Sequence, residues 1–75
     1  MNHAVSPLST EEWIIDLFRS RAAAQGGVVR RKRRDIERYV GMEEFKQELY
    51  RRGYQAVENA GQVVIFCNQE PIQRI

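Results

Sequence analysis

Trp13, Ile14, Leu17, Phe18 and Ala22 recur at the spacing of one helical face, with Asp16, Arg19 and Ser20 opposite them. That pattern predicts a helix that begins at Thr10 and ends at the Gly26-Gly27 pair. Its start is marked twice. Ser9 at the N-cap and Glu12 at the third helical position form a capping box, and Leu8 with Trp13 adds a hydrophobic staple in the same register. Ile15 widens the apolar arc toward half the circumference, which predicts contact with more than one element or with a partner.

The pattern then changes period. Residues 28–31 start with two β-branched positions and predict a short edge strand. Ile36, Tyr39 and Val40 make one face of a short amphipathic helix over residues 35–40, and Gly41 breaks its phase. Phe45, Leu49 and Tyr50 follow a new helical stripe within residues 42–52. Glu43 and Glu44 sit in its first turn, Arg51 and Arg52 in its last, as the helix dipole prefers, and Gly53 is its stop signal. Residues 54–58 and 62–68 read as the strands of a hairpin, with Asn59-Ala60-Gly61 as turn chemistry. Residues 63–67, Val-Val-Ile-Phe-Cys, are apolar at every position. Such a strand needs cover on both faces or a strand on each side, and the central place between residues 54–58 and 28–31 supplies the second. Residues 69–75 contain Pro71, show neither period, and are expected to run as an irregular tail.

Composition bounds what this α+β pattern can support. Seventy-five residues with 43% hydrophobic content fit one domain: a flexible arm over 1–8, a core over 9–68 and the tail. Stability on the order of 4 to 11 kcal/mol leaves little margin for a strained active site, so a binding module is expected and an enzyme is not. Cys67 is the single cysteine, which excludes an internal disulfide and a CxxC pair and points to a reducing compartment. Residues 1–7 have neither the basic nor the apolar region of a secretion signal, and the longest apolar run is five residues. A soluble, cytoplasmic protein with no membrane partner is therefore expected.

Charge is where the chain departs from the ordinary. Residues 1–27 carry two basic and three acidic residues, residues 28–41 six and two, and residues 42–75 four and five, so one segment holds +4 of a total of +2. Its centre is the unbroken run Arg30, Arg31, Lys32, Arg33, Arg34, followed by Arg38. Clustered cations bind polyanions by displacing condensed counterions, which makes these six residues the candidate nucleic-acid contacts. The competing reading is an edge strand kept from pairing by its charges. On a strand, Arg30 and Lys32 face one side, Arg31 and Arg33 the other, so three or four of the cations can converge on one backbone.

Helix, short strand, short helix, glycine turn, helix and hairpin form an order that resembles the winged helix-turn-helix. The resemblance spans residues 9–68. It makes residues 35–41 the second helix and turn, residues 42–53 a third helix of about three turns, and residues 54–68 the wing. The fold it implies has three helices and a short three-stranded antiparallel sheet whose last strand is central. It also implies a third helix in the major groove and a wing along the backbone, with Glu43, Glu44, Lys46, Gln47 and Tyr50 toward the bases. Two carboxylates would then meet phosphates, and the turn Asn59-Ala60-Gly61-Gln62 offers no cation.

Other chemistry is sparse. Tyr39, Tyr50 and Tyr54 suit base stacking, although Tyr39 and Tyr50 fall on apolar stripes and are expected to pack in the core. Trp13 reads as staple and core. His3 is the single histidine and lies in the arm, away from any second metal ligand or catalytic partner, and Gly26-Gly27 lacks the Gly-Lys-Ser/Thr of a phosphate loop. No catalytic residue, metal ligand or cofactor is expected. The reading that follows is a small nucleic-acid-binding or regulatory accessory protein, monomeric or weakly dimeric, that neutralises phosphates with little base readout. The alternative is a protein-protein adaptor docking through its first helix or hairpin, which an apolar patch at Ile15, Phe18 and Val64 would favour.

Overall fold

The capping box is present. In the computed structural model, which describes residues 9–75, the Ser9 hydroxyl accepts the Glu12 N–H at 3.1 Å and the Glu12 carboxylate accepts the Ser9 N–H at 3.0 Å. Helix α1 (Thr10–Phe18) follows. His3 and Leu8, and with Leu8 the expected staple, lie outside the described residues.

The expected single helix is two. Ser20 takes extended backbone angles (φ −59°, ψ 157°) and its hydroxyl accepts the Ala23 N–H at 3.3 Å, so the chain leaves the helix for a residue and restarts as α2 (Arg21–Ala24). A serine hydroxyl competes with the helix for backbone donors, and here the competition is won at a cap. The restart shifts the phase by one position, so that Ala23 enters the core and Ala22 is exposed. The described residues therefore form four helices rather than three.

Strand β1 (Val28–Lys32) and helix α3 (Arg33–Tyr39) come next, with Arg33 and Arg34 in the helix and not on the strand. Helix α4 (Met42–Arg52) ends at Gly53, whose φ of 74° turns the chain left-handed. There the Tyr54 N–H returns to the Leu49 carbonyl at 2.9 Å, the closing bond of a Schellman motif. Strands β2 (Gln55–Asn59) and β3 (Gln62–Phe66) flank a two-residue turn. Ala60 and Gly61 both have positive φ, 52° and 77°, the signature of the type I′ turn whose twist suits a hairpin.

The sheet order is β1-β3-β2, all antiparallel, so the apolar strand is central as its composition requires. Val29, Ile65 and Ala56 form one cross-strand row, Arg30, Val64 and Val57 the next. Alternation sends Val63, Ile65 and Cys67 into the core, where Leu17, Ala23, Val29, Ile36, Phe45 and Leu49 close over them. The opposite face is open: Val64 and Phe66 are half-buried there, between exposed Val28 and Val57. Its strand neighbours rather than a second layer satisfy β3. The result is an α+β domain with helices on one face of a three-stranded antiparallel sheet, the layout of a winged helix.

Two apolar expectations change. Tyr50 is 85% exposed. It lies about 140° round the helix from Phe45, which takes it off the stripe that Phe45 and Leu49 define. Ile15 is 53% exposed, beside Glu11, Glu44, Glu48 and Arg51, whereas Phe18 is half-buried against Phe45 and Tyr54 and Val64 lies on the open sheet face. Phe18 and Val64 thus belong to opposite faces of the sheet.

Ile65→Ala should cost about 2 to 5 kcal/mol, since it opens a cavity where exposure is 0%; a urea titration reads the loss. Ala60→Asn should raise stability by about 0.5 to 1 kcal/mol, because asparagine tolerates positive φ better than alanine does and Asn-Gly suits this turn. A higher Tm with unchanged hairpin shifts in NMR spectra is the expected result.

Candidate nucleic-acid interface

The six candidate cations separate into four groups once the fold is in place. Arg30 and Lys32, two apart on β1, project from the open face of the sheet and are exposed. Arg31 lies on the other face at half exposure, its guanidinium donating to the Arg30 carbonyl at 2.6 Å. Arg34 and Arg38 are exposed, one turn apart on α3. Arg33 does something different.

Arg33 Nε donates to Glu37 at 2.9 Å and its Nη1 to Glu58 at 2.5 Å, joining the first turn of α3 to the end of β2. The Arg33 N–H also donates to the Gly61 carbonyl at 2.8 Å. Its guanidinium pKa is held above the ordinary value, first by the hydrogen bond to Glu37 and then by the bond and charge of Glu58. These contacts tie the hairpin tip to the helix. They also occupy donors that a phosphate would otherwise take.

Around this tie lies an open hollow of about 470 Å³ between α3 and the turn, its rim including Lys32, Arg34, Gly61 and Gln62. Lys32 and Arg34 therefore border one hollow, although one is on a strand and the other on a helix, and Arg33 with its partner Glu37 borders it too. Arg30 lies two residues before Lys32 on the open sheet face, and Arg38 lies one turn beyond Arg34 on α3. At the far end of α3, Arg38 lies 5.8 Å from the Tyr39 ring centre, and Tyr39 stacks on Trp13 at 5.9 Å. The Thr10 hydroxyl donates to the Tyr39 carbonyl at 2.8 Å, so α1 fixes the end of the helix that carries these arginines.

Ion pairing is rarer in this region than in the rest, where Arg21 and Arg74 also lack a salt bridge among the described residues. Among the described residues Arg19 pairs with Asp16, Lys46 with Glu43, and Arg51 and Arg52 with Glu48, whereas Arg30, Arg31, Lys32, Arg34 and Arg38 form no salt bridge. Helix α4 is the opposite case. Glu43 and Glu44 stand exposed on it, and Glu48 takes up both of its last arginines. Lys46, Gln47 and Tyr50 are exposed beside them, so the conventional reading helix presents a mixed, largely self-neutralised surface.

Glu58 is the neighbour of this candidate site that local reading misses, since it is 25 residues from Arg33. The cross-strand register gives the available signal: Arg31, Val63 and Glu58 share a row, which brings Glu58 to the face where the basic run ends. Cys67 is apart from the site, 3% exposed in the core, its N–H bonded to the Gly27 carbonyl at 2.9 Å. No gathering of three or more potential metal ligands occurs among the described residues, and none of their helices is long and apolar enough to cross a membrane. The chain matches no protein-family model, no curated protein and no solved structure.

Burial pushes the Cys67 thiol up from its ordinary value. The unfolded thiol ionises near pH 8.5 while the folded one keeps its proton, so its contribution is full below that pH and is lost as pH rises toward the folded value. The urea midpoint of the parent should fall more steeply above about pH 8.5 than that of Cys67→Ala, in which only the groups common to both titrate.

Proposed function

We propose that the protein is a nucleic-acid-binding accessory domain that neutralises phosphates through Arg30, Lys32, Arg34 and Arg38. One observation carries this reading: these exposed cations have no carboxylate partners among the described residues, while most cations elsewhere are paired. Partnered cations are already neutralised and release few counterions on binding. Unpartnered ones retain a full counterion atmosphere to exchange for a phosphate backbone, and that exchange is the main source of affinity for nucleic acids. Arg31, half-buried, is a lesser contributor.

The binding mode follows from what surrounds the cations. Lys32 and Arg34 flank the hollow beside the hairpin turn, with the Gln62 amide as a further donor, so one phosphate seats between strand and helix. Arg30 and Arg38 take neighbouring phosphates on either side. Contacts made to phosphates carry no sequence information of their own, so binding through this line is tolerant of sequence. Helix α4, with Glu43 and Glu44 exposed at its start, stays away from the backbone. Arg33 acts as the strut that holds the hairpin tip against α3.

Affinity for a short duplex should fall with log[salt] at a slope of about −3 to −4, from roughly −0.9 for each of four contacts. Replacing Arg30 and Lys32 together with Gln should flatten the slope by about 2 and leave the Tm almost unchanged, since exposed charges contribute little to folding. Arg33→Gln should leave the slope almost unchanged, since Arg33 is already paired with Glu37 and Glu58. Fluorescence anisotropy across salt concentrations measures all three. Absence of binding to duplex or single strand at low salt would refute the reading.

A further inference from the structure

The sheet has two edges, and they are built differently. Edge strand β1 carries Arg30, Arg31 and Lys32, so an antiparallel copy centred on Arg30 would set arginine against arginine. Edge strand β2, Gln-Ala-Val-Glu-Asn, has neither lysine nor proline, and its register with β3 runs without a bulge. Its single charge, Glu58, is held by Arg33. Charges, prolines and bulges are the usual protections of an exposed edge. One edge of this sheet has the first of them, and the other has little.

The hydrogen-bonding pattern of β2 is also self-complementary. A two-residue turn makes Asn59 and Gln62 a hydrogen-bonded pair, and antiparallel alternation then directs the Val57 and Gln55 groups inward to β3. The N–H and C=O of Ala56 and Glu58 therefore point outward, and no segment among the described residues pairs with them. These two residues are symmetric about Val57. A two-fold axis through Val57 sets Ala56 of one copy against Glu58 of the second, and the reverse, each pair exchanging both backbone bonds. Val57 meets Val57 as the close, non-bonded pair on the open face, and Gln55 meets Asn59. No like charges oppose each other.

Exposed apolar area lies along the same edge. Val57 is 44% exposed, and the neighbouring hollow of about 330 Å³ is lined by Leu49, Tyr50, Tyr54, Ala56 and Ile72, of which Tyr50 is 85% and Ile72 42% exposed. We propose that this edge is a homodimer interface: β2 pairs with β2 of a second copy about Val57, making one continuous six-stranded antiparallel sheet. An isologous contact of this kind closes on itself and leaves no growing edge, because the outer strands of the dimer are the charged β1 strands. The proposal stands independently of nucleic-acid binding.

Sedimentation velocity of the full chain over a range of concentrations, with amide hydrogen exchange at both extremes, tests it. The expected result is a shift from monomer to dimer mass, with exchange at Ala56 and Glu58 slowed by roughly tenfold or more at high concentration while Val57, bonded to β3, is unchanged. Val57→Lys opposes two ammonium groups at the axis and should leave a folded monomer, whereas Arg30→Gln should leave the dimer intact. Monomer mass at every concentration overturns the proposal. So does a dimer in which Ala56 and Glu58 still exchange freely, or one that survives Val57→Lys. Monomer mass with protected Ala56 and Glu58 amides would overturn it in favour of the C-terminal tail as the edge's occupant. The exchange arm uses the unmodified chain and decides the question if the lysine variant does not fold.

Discussion

Strand β3 is the constraint on which the rest of the molecule depends. Its ladder partners stand on both sides, so its backbone groups are satisfied wholly within the sheet, and its inward side chains can form the floor on which Leu17, Ile36, Phe45 and Leu49 pack. Ile65 and Ile36 both reach 0% exposure against this floor. In a chain so short the hydrophobic term is small, and almost all of it is gathered at one layer between sheet and helices. The outer face of the sheet is left without a layer of its own. Apolar and basic residues meet there at the surface.

Charge in this protein is arranged by connection rather than by amount. Glu48 gathers the arginines at the end of α4, and Arg33 gathers Glu37 and Glu58, so each of these ions secures a join between turns or elements. Exposed pairs of this kind contribute little to stability one by one, and their effect here is on position. Arg33 links the start of α3 to the hairpin through Glu58 and the Gly61 carbonyl, with unpartnered cations on either side of that join. The cations proposed to meet phosphates thus flank a structural ion pair made by the fourth residue of the same run of five.

Much of the fold is legible where one residue type can do one job. Ser9 with Glu12 gives the first helix its start, Gly53 gives α4 its end, and five consecutive apolar residues call for a strand covered on both faces or flanked by strands, of which the fold takes the second. The break at Ser20 is less legible, because a serine on the polar side of an amphipathic pattern satisfies the periodicity whether it caps or continues the helix. Tyr50 follows Leu49 on a helix that an aromatic residue can leave at little cost, and composition alone does not say which way it faces. The basic run that marks the candidate site was legible, and the division of labour within it was not. Five adjacent cations look equivalent until Glu58 arrives from another strand, and long-range register, which decides that meeting, is carried by no local signal.

Strand β1 joins the sheet from far away in the chain, Val28 pairing with Phe66, whereas β2 and β3 are joined by a turn of two residues. Hairpins of that kind close in about 1 to 10 μs, and contacts between distant residues come later because the intervening chain must first be ordered. The basic strand is thus the expected last arrival in folding. Until it docks, the flank of the most apolar strand in the protein is bare, open to any other chain with a free edge. Its docking replaces that flank with Arg30, Arg31 and Lys32, so the completion of the fold and the closing of its stickiest edge are one event.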